Sequence, residues 1–195
     1  FCSRYTILPF KGIYRYSDEK PFSLRTHIYP VPNLKFPFLG VHYTVTVNGI
    51  SKIGPTAIPA FWREQYGILE NFSLTELVDI AIREAGLMIS AGFDFRGLAR
   101  LEMKKFSSSF LVAEAARLIT GVQHEDYTHW GRPGIRAQLL DLEKRTLVMD
   151  FVIEGDRSSL HVLNAVSPAW TCSMPFAKHV VDQVVRLRDG APSAV

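Results

Sequence analysis

The chain has few cysteines and no long apolar run, and both absences limit what the protein can be. Its 195 residues include two cysteines, Cys2 and Cys172, which form no C-x-x-C or Cys/His cluster, so neither a zinc site nor a disulfide framework is expected. This usage fits a reducing compartment, and we expect a cytoplasmic protein, with peripheral membrane attachment left open. No apolar run approaches the roughly 18 residues needed to cross a bilayer, so no transmembrane segment is expected.

Charge of one sign is not concentrated anywhere in the chain. The formal net charge is +3, with basic and acidic residues interspersed. Because a nucleic-acid-binding surface usually shows a Lys/Arg block, we expect no nucleic-acid partner. The chain begins with Phe1 rather than Met and shows no signal-peptide pattern, so we expect it to be part of a longer protein.

Residues 38–47 predict a half-buried strand because apolar and polar residues alternate. One face carries Leu39, Val41, Tyr43, Val45 and Val47, and the other carries Gly40, His42, Thr44 and Thr46. The following Asn48-Gly49 pair predicts a tight hairpin turn, with residues 50–53 as the partner strand.

The middle of the chain predicts helices. Ser73 and Glu76 have the spacing of a capping box, and Gly92 is a plausible stop. Apolar residues recur between them at helical spacing, namely Leu74, Leu77, Val78, Ala81, Ile82 and Ala85. A second helical stretch is predicted to break near residues 107–109 and to end at Gly121. We interpret both apolar stripes as core-facing.

The last third of the chain predicts strands and a final helix. Residues 135–140 and 146–153 are predicted strands around a charged turn, and residues 159–163 follow. A polar turn and the Ser167-Pro168 pair then lead into the helix, where backbone N–H groups suit an anion or cofactor. The helix is predicted to bury Phe176, Val180, Val181, Val184 and Leu187. This order of elements predicts the α+β class.

Three groups of motifs carry a family resemblance. They are residues 28–32 (IYPVP) with 36–44 (FPFLGVHYT), residues 54–57 (GPTA) with 60–66 (AFWREQY), and residues 134–138 (GIRAQ) with 150–151 (DF) and 161–169 (HVLNAVSPA). In this order they resemble the C-terminal half of the L-2-hydroxyglutarate dehydrogenase/oxidase family, flavoproteins of the D-amino-acid-oxidase-like superfamily.

The resemblance implies a two-part protein in which a substrate domain covers the FAD held by a second domain. We therefore expect residues 1–125 to form a substrate-binding domain with an antiparallel or mixed sheet and helices. Residues 126–195 would be the C-terminal part of a FAD-binding α/β domain. The chain contains no G-x-G-x-x-G phosphate loop, so alone it is expected neither to hold FAD tightly nor to be active. Its partner would be the missing N-terminal FAD-binding half.

Several positions depart from the family pattern. Lys11 stands where the family has Arg, and Ile13 stands where it has an acidic residue. Thr56 replaces Asn, Val166 replaces Pro, and Trp170 replaces a small residue. Pro175 falls where the family's helix already runs, so we expect this helix to start late, with Ser173 as its cap and Pro175 near its first turn. These changes leave the resemblance intact and the exact substrate open.

The resemblance implies oxidation of a small 2-hydroxy acid, with L-2-hydroxyglutarate as the expected substrate, and hydride transfer to FAD. A base must then take the hydroxyl proton, and cations must hold the carboxylates. His42 is the candidate base because imidazole titrates near neutral pH, and a structural histidine hydrogen-bonded at a sheet surface is the alternative. Arg136 is the second candidate catalytic residue, as a carboxylate clamp, and Arg63 is a further substrate-binding candidate. A surface salt bridge is the alternative role for either arginine.

The remaining candidate residues also have ordinary structural roles. Tyr14, Tyr43 and Thr44 are substrate-binding candidates that sheet packing would equally explain. Cofactor-binding candidates lie on the turn after the last strand, where turn and cap roles are the alternative. They are His161, Asn164, Ala165, Ser167 and Pro168. No metal site is expected.

Two other functions stay open from the sequence. One is an amine or amino-acid oxidase of the same superfamily, which needs a base less, so alanine at His42 would barely change its rate. The other is a non-catalytic half that docks onto a flavin-binding partner.

Overall fold

The computed structural model describes residues 1–20, 22–32, 38–166 and 169–190, and its helices and antiparallel sheets confirm the predicted α+β class. The elements are, in chain order, β1 Tyr5–Gly12, β2 Arg15–Tyr16, β3 His42–Val45, β4 Ser51–Gly54, β5 Ile58–Pro59, α1 Leu74–Ser90, α2 Phe95–Lys104, α3 Ser108–Ala115, a 3₁₀ turn His124–Asp126, β6 His129–Trp130, β7 Gly134–Asp141, β8 Thr146–Leu147, β9 Val152–Gly155, β10 Leu160–Asn164 and α4 Ser173–Arg188. No helix among the described residues is both long and apolar enough to cross a bilayer.

The chain folds into two compact units. The larger unit is Leu8–Gln138, and the smaller unit contains Phe1–Ile7 and the chain from Leu139 onward. The assignment of residues 1–125 to substrate and of 126–195 to FAD stays a prediction.

The larger unit contains an antiparallel sheet with strand order β3-β4-β2-β6. Its β3–β4 hairpin turns at Asn48-Gly49, as predicted, where Gly49 has a φ of +79°. The Thr46 N–H donates to the Ile50 carbonyl oxygen at 2.9 Å. Residues that face each other across this hairpin include His42 with Gly54 and Thr44 with Lys52.

One face of this sheet forms the core of the larger unit. Tyr43 and Ile53 are fully buried, and they belong to one apolar cluster with Leu111 and Ala115 of α3 and with Tyr127. The predicted apolar face continues to Leu39 and Val47 in the sequence, but the structure leaves both exposed. They lie beyond the ends of β3, where the regular alternation stops.

The helices of the larger unit begin near the predicted positions. The Ser73 hydroxyl oxygen accepts a hydrogen bond from the Glu76 N–H at 3.4 Å, which confirms the N-terminal cap of α1. In a complete capping box the Glu76 carboxylate would accept from the Ser73 backbone N–H. Here it accepts a hydrogen bond from the backbone N–H of Arg63 at 2.8 Å. The predicted break before α3 is also confirmed, with Ser107 as its N-cap. α3 ends at Ala115, earlier than the predicted end at Gly121.

The core-facing interpretation of α1 is wrong for much of its stripe. Ile80 and Leu87 are its buried apolar residues. Leu74, Val78 and Ile82 were predicted to face the core, but each is about half or more exposed. Helical spacing identifies an apolar face, but it does not say whether another element covers that face.

The smaller unit contains the β9–β10 hairpin and α4. Helix α4 begins at Ser173, which confirms the late start predicted from Pro175, although Cys172 rather than Ser173 is the N-cap residue. Leu187 is the one apolar residue of its predicted stripe that is buried, whereas Val181 and Val184 are exposed. The predicted strand 146–153 is divided into β8 and β9.

Candidate active site

A cavity of about 750 Å³ lies in the larger unit. Aromatic and apolar side chains line most of it, together with one histidine and three cations. The described lining residues are Phe10, Gly12, Tyr14, Tyr16, Phe38, Leu39, His42, Lys52, Pro55, Thr56, Ala57, Tyr66, Arg132, Pro133, Gly134, Ile135 and Arg136. None of these residues is acidic, so the cavity suits an anionic ligand.

The floor of the cavity is the face of the β3-β4-β2 sheet opposite the core. Residues paired directly across antiparallel strands project to the same side. Lys52 pairs with Thr44 on β3 and with Tyr16 on β2, and His42 lies two residues before Thr44. This register explains why His42, Lys52 and Tyr16 share the cavity although they are far apart in the chain.

His42 has the geometry of a neutral base. Its ring Nδ1 lies 3.0 Å from the Gly40 carbonyl oxygen. Because a carbonyl oxygen only accepts, Nδ1 carries the proton and Nε2 keeps a lone pair. Burial lowers the pKa of His42, and the charge of Lys52 lowers it further, against the opposing effect of the Gly40 hydrogen bond. The imidazole is therefore uncharged at neutral pH.

Two tyrosines lie against the His42 ring. The Tyr29 ring is tilted by 30° to it, with ring centroids 4.4 Å apart, and Tyr14 meets it edge-on at 6.3 Å. Burial raises the pKa of Tyr14, so its hydroxyl stays protonated and can donate a hydrogen bond to a ligand. The structure therefore brings Tyr14, a predicted substrate-binding residue, beside the candidate base.

Arg136 lies in the same cavity, as predicted from its motif. Its guanidinium carbon is 5.0 Å from the centroid of the Phe38 ring, which orients the group by a cation–π contact. Burial lowers the pKa of Arg136, but an arginine remains charged at neutral pH.

Sequence reasoning missed two cations of the cavity, Lys52 and Arg132. Arg132 is paired with Glu70 at 3.0 Å and lies over the Tyr66 ring. The Asn48-Gly49 hairpin contained the signal for Lys52, since the turn sets the register that places Lys52 opposite Thr44. Arg132 had no comparable signal, because it comes from a segment far along the chain.

A buried ion pair supports the wall of the cavity. The Lys105 ammonium lies 2.5 Å from Glu102 Oε1, and both side chains are buried. Glu102 Oε2 accepts a hydrogen bond from the N–H of Ala57, a lining residue, at 2.6 Å. The pair therefore fixes the loop after β4 to helix α2.

The structure does not bring every substrate-binding candidate to the cavity. Tyr43 is fully buried in the core on the opposite face of β3, with its ring centroid 6.1 Å from that of Tyr127. Thr44 is on the cavity side of β3 but is not a lining residue. Arg63 is exposed in a loop, where its guanidinium lies 3.8 Å from the Glu76 carboxylate.

The cofactor-binding candidates belong to the smaller unit. His161 is exposed, and its Nε2 lies 3.1 Å from the Ser159 hydroxyl. Asn164 is buried and donates from Nδ2 to the Asp150 carbonyl oxygen at 2.6 Å. Ala165 is exposed, and Ser167 and Pro168 lie outside the described residues. A role for these residues in cofactor binding stays a prediction.

The chain is similar to curated proteins from animals and bacteria over about nine tenths of its length. It is 38% identical over 185 residues to "L-2-hydroxyglutarate dehydrogenase, mitochondrial" of Homo sapiens, covering 91% of this chain and 39% of that protein. The resemblance to the L-2-hydroxyglutarate dehydrogenases is confirmed.

Two further L-2-hydroxyglutarate dehydrogenases show the same pattern. The mitochondrial protein of Nematostella vectensis is 37% identical over 194 residues, with 91% of this chain and 39% of that protein covered. The protein of Indibacter alkaliphilus is 35% identical over 184 residues, with 92% of this chain and 44% of that protein covered. The chain thus spans about two fifths of the length of these relatives. No protein-family model matches it.

Proposed function

We propose that the protein containing this chain oxidises a small 2-hydroxy acid, L-2-hydroxyglutarate in particular, with FAD as the hydride acceptor. One observation carries the proposal: a neutral histidine lies in a cavity that contains three cations and, among its described lining residues, no carboxylate. The names of the similar proteins point to the same substrate.

His42 would accept the proton of the substrate hydroxyl. Its Nε2 lone pair is available because the Gly40 carbonyl oxygen holds the proton on Nδ1. Loss of this proton makes the hydride at C2 easier to transfer, and a base with a pKa near or below neutral is in the correct state at neutral pH. The 2-oxo acid is the product, and His42 carries the proton until it returns to solvent.

Arg136 and Tyr14 would orient the substrate. A guanidinium binds a carboxylate through two parallel hydrogen bonds, so Arg136 suits the carboxylate next to the reacting carbon. The protonated Tyr14 hydroxyl, beside His42, suits the 2-oxygen of the substrate as a hydrogen-bond donor. Together they would present the hydroxyl proton to His42.

The side chains that line the cavity fit the reacting ring of FAD better than they fit its phosphates. Aromatic side chains and cations line the cavity, and both suit a flat ring that gains negative charge when reduced. The sequence holds no G-x-G-x-x-G loop for the pyrophosphate, so another segment would have to bind it. In the smaller unit the His161 and Asn164 side chains make local hydrogen bonds, so any contribution of that turn to a cofactor would come from its backbone groups. When bound, FAD would supply the two-electron acceptor.

An absorbance spectrum of the full-length protein tests the proposal. Flavin bands that bleach on anaerobic addition of L-2-hydroxyglutarate would support both cofactor and substrate, with glutarate, which has no hydroxyl to oxidise, as the control. Flavin that stays oxidised with this acid but bleaches with an amino acid would favour an amine or amino-acid oxidase. A protein without flavin would contradict the proposal.

A further inference from the structure

Lys52 is a cavity cation whose charge no acidic residue offsets in the described part of the chain. Arg132, in the same cavity, has Glu70 as its partner at 3.0 Å. For Lys52, the described residues provide no ion pair, and the cavity lining contains no Asp or Glu. Burial lowers the pKa of Lys52, because its partly buried ammonium has lost part of its water without gaining an anion.

The position of Lys52 relative to His42 follows from the strand register. His42 faces Gly54 across β3 and β4, and Lys52 lies two residues before Gly54 on the same strand. Such diagonal neighbours share one face of a sheet and lie about 7–8 Å apart. A substrate whose hydroxyl contacts His42 therefore has Lys52 within reach of its far end.

Two tyrosines hold the Lys52 side chain in place. The ammonium nitrogen lies 4.1 Å from the centroid of the Tyr14 ring and 5.8 Å from that of Tyr16. These cation–π contacts orient a side chain that is otherwise flexible, so less conformational entropy is lost when an anion binds. Lys52 is thus positioned to receive a carboxylate.

We propose that Lys52 selects substrates with a second carboxylate, by binding the carboxylate that is farther from the reacting carbon while Arg136 holds the nearer one. The inference rests on the proposed oxidation of a 2-hydroxy acid and names the residue that sets its preference. A 2-hydroxy acid with a methyl group in place of the far carboxylate would leave the Lys52 ammonium without its anion.

The test compares L-2-hydroxyglutarate with L-2-hydroxyvalerate, which has a methyl group in place of the far carboxylate. In the full-length protein, Lys52→Met is expected to lower kcat/KM for L-2-hydroxyglutarate by about 10- to 100-fold, mainly through KM, because a charge-assisted contact is lost. At pH values above the acid limb of the profile, the value for L-2-hydroxyvalerate should change little. Lys52→Arg should restore most of the preference, and Lys104→Met, at an exposed lysine of α2, should alter neither value.

The pH profile of Lys52→Met supplies a second measurement. The Lys52 charge lowers the pKa of His42, so its removal should move the acid limb of kcat/KM for L-2-hydroxyvalerate to higher pH. A lysine that only packs against tyrosines at a distance from the base would leave this limb in place. Lys52→Gln replaces Lys52→Met if the latter does not fold.

A folded Lys52 variant that keeps the wild-type preference, or that loses both activities equally, would overturn the inference and leave the proposed function standing. If the wild type oxidises neither acid, the proposed function fails. Calorimetric titration with glutarate and valerate then decides the role of Lys52. Tighter binding of glutarate to the wild type than to Lys52→Met supports it, and equal binding overturns it.

Discussion

His42 and Tyr43 are consecutive residues with opposite surroundings. The imidazole faces a cavity with cations and tyrosines, and the phenol is enclosed in the core. Burial raises the pKa of Tyr43, and its hydroxyl has no hydrogen-bond partner among the described residues. The two residues therefore make separate, testable contributions to activity and to stability.

Replacement of His42 tests its role as the base. His42→Ala is expected to lower kcat by about 10² to 10⁴-fold, the usual contribution of a general base. In the wild type, kcat/KM should fall toward acid pH as His42 becomes protonated. Because the pKa of His42 is lowered, that fall should lie below the ordinary histidine value of about 6.5.

The matched control for His42 is His179→Ala, at an exposed position of α4, which should leave the pH profile unchanged. A loss of less than about tenfold in His42→Ala would contradict general-base catalysis and favour an amine oxidase.

The tyrosines separate substrate binding from packing. Tyr14→Phe removes a cavity hydroxyl and is expected to lower kcat/KM by about tenfold. Tyr43→Phe removes a buried hydroxyl without a partner among the described residues, so stability should be unchanged or higher by about 1 kcal/mol. Steady-state kinetics and urea unfolding measure the two effects. A Tyr43→Phe variant that is stable but inactive would contradict the assignment of Tyr43 to the core and would support a role in substrate binding.

Helix α1 shows how an element can bury a charge-bearing group. Glu84 lies on the same face as the buried Ile80 and Leu87, and its Oε1 has no hydrogen-bond partner among the described residues. Burial raises the pKa of Glu84 to about 7. The folded protein therefore binds this proton more tightly than the unfolded chain does.

The pH dependence of stability follows from that difference. An unfolded glutamate ionises near pH 4.3 or so, so between that value and about 7 the folded state holds the extra proton, and stability falls as pH rises. Glu84→Gln should remove this slope and add about 1–3 kcal/mol above pH 7, after allowance for partial solvent screening. Chemical unfolding across this range, with the exposed Glu64→Gln as control, measures it. An unchanged slope would mean that Glu84 is solvated.

Elements with local signals were predictable, and elements that depend on distant partners were not. Asn48-Gly49 needs only its own φ preference to turn, and Ser73 needs only the next N–H groups to cap α1. The exposure of Val78 depends on whether another element covers that face of α1. The helical spacing of apolar residues carries no information about this. In the cavity, His42 and Arg136 were found through their motifs, whereas Lys52 required the strand register.

At the scale of the whole molecule, the chain is two compact units and spans about two fifths of the length of its relatives. Apolar side chains of α1 face solvent in the described structure, including Leu74, Val78, Ile82 and Ile89. Exposed apolar surface of this kind binds hydrophobic dyes and lowers solubility.

The isolated chain is therefore expected to bind the dye ANS. The double variant Val78→Lys, Ile82→Lys should reduce ANS fluorescence and increase solubility. Thr75→Lys, which adds charge at an exposed position of α1 without removing an apolar side chain, should change the fluorescence much less. Equal fluorescence in all three proteins would place the dye-binding surface elsewhere.

The alternating faces of β3 have a consequence for inherited variation. A substitution at Tyr43 would act mainly on the amount of folded protein, because it disturbs the core. A substitution at His42 would leave protein abundance near normal and remove turnover. A saturation screen that scores abundance and turnover separately should therefore show the two phenotypes at consecutive codons, one for each face of the strand.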